Sequence, residues 1–242
     1  MSQKDYELLP LDWDTEYFGV SSARVNLFRA VDEQGQNDIL AFSKKFNFVT
    51  IANYNNVNHN NVWIGEKSKS FLTDINIQYE KGLTDKVVPK DISIKVSNKL
   101  AYNLEVLQIS KKAFRNSRFY NDPYLPKDKA KNIYAHWTEN AFEKEDKFFV
   151  LFTREGHLAG YLLFSLSLES CVIELIAVDE NYQGSSVGKS MIYALESFVI
   201  KEGIKKIRVG TQLSNQSASR FYQANGFKLV SYSSLYHLWR DL

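Results

Sequence analysis

The chain has 242 residues, 44% hydrophobic and 24% charged, and a net charge of +2 from 30 basic and 28 acidic residues. That balance supplies no field for bulk nucleic-acid or membrane-surface binding, and no apolar run approaches the roughly 20 residues a membrane helix needs. A lone cysteine, Cys171, excludes an internal disulfide, and its apolar flanks mark it as a small hydrophobe rather than a reactive thiol. The first residues lack a basic segment followed by an apolar one, so a soluble, cytoplasmic protein is expected.

Taken in chain order, Trp13 to Gly19 reads as an aromatic-rich turn, followed by a strand over Ser22 to Phe28. Ile39, Leu40, Phe42 and Phe46 give helical spacing from Gln36 to Phe46, and Asn47 to Ala52 reads as a strand. The asparagine-rich run from Asn53 to Asn61 has poor helix propensity and reads as a surface loop. Ser70 to Tyr79 alternates as a strand does. These elements form a small α/β unit, residues 1–85, and Lys81 to Lys90, with Gly82 and Pro89, is the candidate linker to a second unit, residues 91–242.

The second unit opens with a strand over Asp91 to Val96 and a helix from Asn98 to Phe114. A polar-aromatic loop, Ser117 to Pro126, leads to a helix over Lys127 to Phe142. Strands follow at Phe148 to Thr153 and Leu158 to Leu168 around the turn Arg154-Glu-Gly-His157, then at Cys171 to Val178. A helix over Val187 to Lys201, a strand over Lys206 to Thr211 and a helix over Asn215 to Asn225 precede a closing pair, Lys228 to Ser233 and Leu235 to Arg240. No internal repeat is evident, and the class is α/β with a mixed, mostly antiparallel sheet.

The chemistry concentrates between Cys171 and Phe227. After the apolar strand, Gln183-Gly-Ser-Ser-Val-Gly188 opens a helix, so backbone N–H groups and a positive helix end face outward together, which suits a pyrophosphate. Neither the dinucleotide fingerprint nor the P-loop spacing is present, and the loop alone reads equally well as an ordinary strand-to-helix turn. Further on, Asn215 stands at an N-cap position, Ala218, Phe221 and Tyr222 share a helical face, and Gly226 stands where a C′ glycine ends a helix. A tyrosine on such a face is usually core; next to a phosphate loop it becomes a proton-donor candidate.

This stretch resembles the GCN5-related N-acetyltransferase (GNAT) superfamily, whose phosphate loop reads [Q/R]-x-x-G-x-[G/A] after the fourth strand. Gln183, Val187 and Gly188 match, while Ser186 replaces the usual glycine, so its backbone must fit without positive φ. The resemblance implies a GNAT fold after the small N-terminal unit, and acetyl-CoA as co-substrate. Its pyrophosphate falls on the amides of Ser185, Ser186, Val187, Gly188 and Lys189, in the coenzyme loop that Gln183 and Gly184 open, and its pantetheine arm along Ile176, Ala177 and Val178, near Asn215 and Ala218. A neutral amine then attacks the thioester, a backbone N–H at Val178 receives the oxyanion, and Tyr222 protonates the departing thiolate. No metal is required.

Further motifs, Leu11-Asp-Trp-Asp-Thr-Glu-Tyr-Phe-Gly-Val20, Asn116-Ser-Arg-Phe-Tyr120, Tyr134-Ala-His-Trp-Thr-Glu-Asn140 and Arg208-Val-Gly-Thr-Gln-Leu-Ser-Asn215, resemble the dTDP-fucosamine acetyltransferases. That likeness implies acetylation of a dTDP-4-amino-4,6-dideoxyhexose, a sugar of bacterial surface polysaccharides. Arg118 is then a candidate for the nucleotide phosphate, with a surface charge as the competing reading. Phe119, Tyr120, Tyr134 and Trp137 are candidates to stack on thymine or sugar, against core packing. Asp74 could orient or deprotonate the amine, against a solvated strand carboxylate as the simpler reading, and Glu174, a second acid on an apolar strand, reads equally as a base or as a hydrogen-bonded buried carboxylate. The expected partner is a nucleotide sugar, with neither nucleic acid nor membrane, and a homodimer is an allowed assembly. Competing functions are the same chemistry on another small amine or a peptide N-terminus, and a non-catalytic acyl-CoA-binding protein.

Overall fold

The computed structural model describes residues 4–84, 93–114 and 117–240. The first half contains β1 (Tyr6–Pro10), α1 (Asp12–Phe18), β2 (Ser22–Leu27), α2 (Glu33–Ser43), β3 (Phe48–Tyr54), α3 (Asn58–Lys67) and β4 (Phe71–Gly82). The second begins with β5 (Ile94–Asn98), α4 (Leu104–Ala113), α5 (Lys127–Glu139), β6 (Lys147–Arg154), β7 (His157–Leu166) and β8 (Cys171–Val178). It ends with α6 (Val187–Lys201), β9 (Lys206–Gln212), α7 (Gln216–Ala224) and β10 (Lys228–Trp239). The ten strands among the described residues belong to one sheet, ordered β1-β2-β3-β10-β4-β9-β8-β7-β6-β5. Every pairing is antiparallel except β2–β3 and β8–β9, which gives the expected mixed, mostly antiparallel α/β class.

That order contains an internal repeat, contrary to the sequence reading. Apart from α1, which is inserted between β1 and β2, the series β1-β2-α2-β3-α3-β4 and β7-β8-α6-β9-α7-β10 have the same succession of strands and α-helices, and each pairs its first three strands in the same senses. Each repeat's last strand pairs with the third strand of the other: β10 with β3, and β4 with β9. The two last strands also pair with each other, so an approximate two-fold runs between β4 and β10. Because the strands are exchanged, the sheet is continuous across the 85–91 boundary. The candidate linker, Lys81 to Lys90, begins inside β4, which runs to Gly82, and its residues 85–90 lie outside the described residues. Lys81 of β4 adds an ion pair to Glu196 of α6, joining the repeats again.

Several local expectations shift. Residues Asp12–Phe18 form a helix rather than a turn, ended by Gly19 at φ +75°. In the asparagine run, Asn55 and Asn56 take positive φ as a turn, but Asn58 then starts α3. Tertiary anchors override weak propensity there: buried Asn60 donates to the Arg29 carbonyl and accepts from Val31 N–H, while Trp63 and Ile64 enter the core. The expected closing pair is one long strand, β10, with irregular register near Leu229 and Leu235, because β3 and β4 supply a partner on each side. The predicted turn at Glu155 and Gly156 is present, both at positive φ as a two-residue hairpin requires. No helix among the described residues is long and apolar enough to cross a membrane.

Candidate active site

The site begins with one extra residue in β8. On β7, Phe164 pairs with Ile173 and Leu163 with Leu175, leaving Glu174 as a bulge. The bulge reverses which side each later residue faces: Cys171 and Ile173 pack in the core with α6, whereas Leu175 and Ala177 pack beneath α4. It also bends the strand from its parallel neighbour, so β8 and β9 pair only from Cys171–Ile207 to Ile173–Val209. Ile176 to Val178 therefore present a backbone edge without a β9 partner, opposite Gly210 to Gln212. In the first repeat β2 and β3 pair without a shift over six positions, and no such opening forms.

At the head of the opening, Gly184 takes φ +74° and Ser186 an ordinary helical φ of −76°, so the serine fits without glycine's freedom. Gln183 ties the loop back by donating to the Val178 carbonyl. The N-terminus of α6 has no side-chain cap and no acidic residue in its first turn, so its amides remain open to an anion. The equivalent end of α2 is already occupied, since the Asp32 carboxylate accepts from Gly35 N–H. Gly188 allows a close approach: a Cβ there would lie 3.0 Å from the Phe221 ring on α7, which would have to give way.

Across the groove, Asn215 caps α7 by accepting from Ala218 N–H at 3.1 Å. Tyr222 lies on the groove wall, its ring held between Tyr79 and Phe227, and burial raises its pKa above that of a free tyrosine. The groove, about 420 Å³, brings together Ile176, Ala177, Val178, Gln183, Gly184, Ser185, Gly188, Asn215, Ala218 and Tyr222. Ser186 and Lys189 are exposed and are not among the residues that line it, and the Val187 side chain is core, leaving only its backbone to a ligand. Glu174, offered above as a possible base, is paired with Lys147. The Cys171 thiol is pushed up to about 12 by burial and by Glu174, which makes it inert.

The residues assigned to the acceptor separate into groups. Tyr134 reaches the groove, its hydroxyl accepting from Gln212. Arg118 lines a second cleft, about 720 Å³, over β3, β10, β4 and β9. Asp74 is buried near Arg118, and burial raises its pKa. Phe119 is 1% exposed and packs against Phe18, so stacking on a ligand is corrected to core packing. Trp137 packs with Trp13 and Phe119 beside a separate depression, and Tyr120 is exposed and lines neither space. Asn116 lies outside the described residues. Sequence reading missed Arg24, Tyr54 and Gln78 in the cleft, and the fully buried pair of His237 Nδ1 and Asp122 Oδ2, 2.6 Å apart. Only alternation along β2, β3 and β4 could have signalled the first three.

Residues 106–227 match the model of the acetyltransferase (GNAT) family. The dTDP-fucosamine acetyltransferase of Escherichia coli O6:H1 is 24% identical over 237 residues, 96% of each chain. The spore coat polysaccharide biosynthesis protein SpsD of Bacillus subtilis is 26% identical over 134 residues, 55% of this chain, which covers 46% of that protein's length. A GCN5-related N-acetyltransferase from Sphaerobacter thermophilus superposes with a TM-score of 0.58 at 11% identity, over 96% of this chain and 75% of that one. The family match spans half the chain and takes in the bulged strand, the loop and α7, and this protein belongs to the GNAT acetyltransferase family.

Proposed function

We propose that the chain transfers an acetyl group from acetyl-CoA to the amine of a dTDP-4-amino-4,6-dideoxyhexose. One observation carries the donor half: a strand edge freed by the Glu174 bulge, open helix amides at one end and a tyrosine hydroxyl on the wall occur in the same groove. The acceptor half rests on the dTDP-fucosamine acetyltransferase, whose likeness extends through both repeats rather than through the groove alone.

In this reading the pyrophosphate of the coenzyme lies on the amides from Gly184 to Lys189, and the pantetheine follows Ile176 to Val178 as an added strand would. The free acceptor amine attacks the thioester carbonyl beside Tyr134 and Gln212. A C–N bond forms, the oxyanion is held by backbone N–H near Val178, and the C–S bond breaks. The thiolate, pKa about 8.5, takes the Tyr222 proton as it leaves. The proton released by the amine restores the phenol. A phenol is protonated at neutral pH, and burial raises the Tyr222 pKa further, so this side chain enters the cycle as a donor and not as a base. Residues 1–85 then complete the acceptor side, while 91–242 carry the coenzyme.

CoA release should be followed with dTDP-4-amino sugars and, separately, with a peptide bearing an N-terminal alanine. Release with the sugars is the expected outcome; none with any dTDP-amino sugar removes the proposed acceptor, and release with the peptide alone replaces it.

A further inference from the structure

The 720 Å³ cleft falls outside the coenzyme groove but adjoins it, within the volume range of small-molecule sites, roughly 300–1,000 Å³. It exists because the repeats exchange strands: its floor takes Tyr54 from β3, Ser233 from β10, Gln78 from β4 and Arg208 from β9. Gln78 and Gly210 are partners across β4 and β9, and Gly210 lines the groove, so the two spaces meet at that pair. A ligand in the cleft can therefore extend an arm toward the thioester without leaving the sheet surface.

Three arginines line the cleft, and their partners differ. Arg208 is neutralised by Glu80 at 2.8 Å. Arg24 donates to Asn26 and Tyr54, both uncharged. Arg118 stacks on the Phe119 ring at 4.1 Å, and its buried Nε has no hydrogen-bond partner among the described residues. Neither Arg24 nor Arg118 forms an ion pair with a described carboxylate, although Asp14 and Asp74 lie near enough to Arg118 to act on it through space. The two guanidinium groups also repel each other, and that repulsion lowers the pKa of Arg118 together with the larger effect of burial. Two cations facing one cavity, Arg24 hydrogen-bonded to neutral groups and the pair touched by Asp14 and Asp74 only through space, are complementary to a multiply charged oxyanion.

We infer that this cleft binds the diphosphate of a nucleoside-diphosphate acceptor, with Arg24 and Arg118 as its cationic ligands, and so places the sugar amine at the Gln78–Gly210 junction. The inference rests on the proposed nucleotide-linked acceptor and extends it by naming the charged groups that select it. It also divides labour between the repeats: the second supplies the coenzyme groove, and the first contributes Arg24 and much of the cleft floor.

Calorimetric titration of dTDP, with saturating CoA present to fill the groove, tests the cleft directly. The unaltered chain should bind. Arg24→Gln should weaken binding roughly 10- to 100-fold, and Arg24→Lys should recover part of the loss. Arg118→Lys should weaken it in the same range, because an ammonium cannot reproduce the fork of donors. CoA affinity measured on each variant separates lost ligand contacts from a disturbed fold. No binding of dTDP to the unaltered chain, or equal binding to Arg24→Gln, overturns the inference. Turnover of a dTDP-amino sugar with unchanged KM in Arg24→Gln would keep the proposed function and remove the cleft's role. Binding of dTDP through Arg24, with no dTDP-amino sugar acetylated, would keep the cleft and remove the acceptor.

Discussion

Gly210 and Gln78 face each other across β9 and β4 so closely that a methyl group on Gly210 would lie 2.4 Å from Gln78 Nε2. Gln78 also donates to Asn76 on the same strand. Gly210 lines the groove and Gln78 the cleft, so a side chain at 210 would press on the pair at which we infer that the two spaces meet. Gly210→Ala should displace the flexible Gln78 amide at a stability cost of about 1 kcal/mol. It should lower kcat/KM for the acceptor by roughly 10- to 100-fold by moving the amine off line. Unchanged acceptor kinetics with Gly210→Ala would show that the amine does not pass this point.

Tyr222→Phe keeps the ring between Tyr79 and Phe227 and removes only the hydroxyl. Thermal stability and acetyl-CoA affinity should stay near those of the unaltered protein, while kcat falls by about 10²- to 10⁴-fold. Full turnover in the variant would assign the thiolate proton to another donor. Retained coenzyme binding without turnover in the unaltered chain would instead favour an acyl-CoA-binding protein.

The two helix starts make a reciprocal prediction. Asp32 caps α2 with a carboxylate, and Ser186 stands at the same point of α6 without capping it. Ser186→Asp should stabilise α6 by about 0.5–2 kcal/mol and at the same time raise the KM for acetyl-CoA at least tenfold, because the new carboxylate takes the amides and repels the pyrophosphate. Opposite signs in a melting curve and a saturation curve would be hard to obtain from a loop that does not bind phosphate. A rise in stability with no change in KM would move the pyrophosphate elsewhere.

The buried His237–Asp122 pair predicts an acid-side loss of stability. Burial lowers the His237 pKa; the Asp122 bond opposes that and Arg118 reinforces it. Burial raises Asp122, but hydrogen bonds from His237, Trp239 and Tyr124 outweigh it and leave the carboxyl below its ordinary range. As pH falls below about 6.5, the unfolded chain protonates this histidine before the folded chain does, so stability declines from there toward the folded value. The Asp122 contribution is complete above about pH 3.9 and fades as pH passes its lower folded value. Melting temperatures between pH 7 and pH 5 should therefore slope downward, and less steeply in His237→Phe. An equal slope in the variant would place the titrating group elsewhere.

Much of the donor side was legible along the chain. The bounds Cys171–Val178 and Val187–Lys201 follow from a short apolar run, a small-residue turn and a sustained helical stripe, all of them local signals. Asn215 and Gly226 were readable as caps for the same reason. Helix α3 was not, because its asparagines disfavour a helix until Asn60 finds Arg29 and Val31 across the fold. Phe119 was misplaced since an aromatic residue in a polar loop looks alike in sequence whether it meets a ligand or the core.

What the amino-acid order determined by itself was the second repeat's strand, its small-residue loop and the tyrosine-bearing helix, whose residues are contiguous and whose geometry follows from backbone preferences. Tertiary structure alone decided three things. It exchanged β4 and β10 between the repeats, it let one bulge at Glu174 open β8 from β9 while β2 and β3 stayed closed, and it brought Arg24, Arg118 and Arg208 around one cleft. Each depends on which strand lies beside which, and sheet order is set by burial summed over both halves of the chain rather than by any local run of residues.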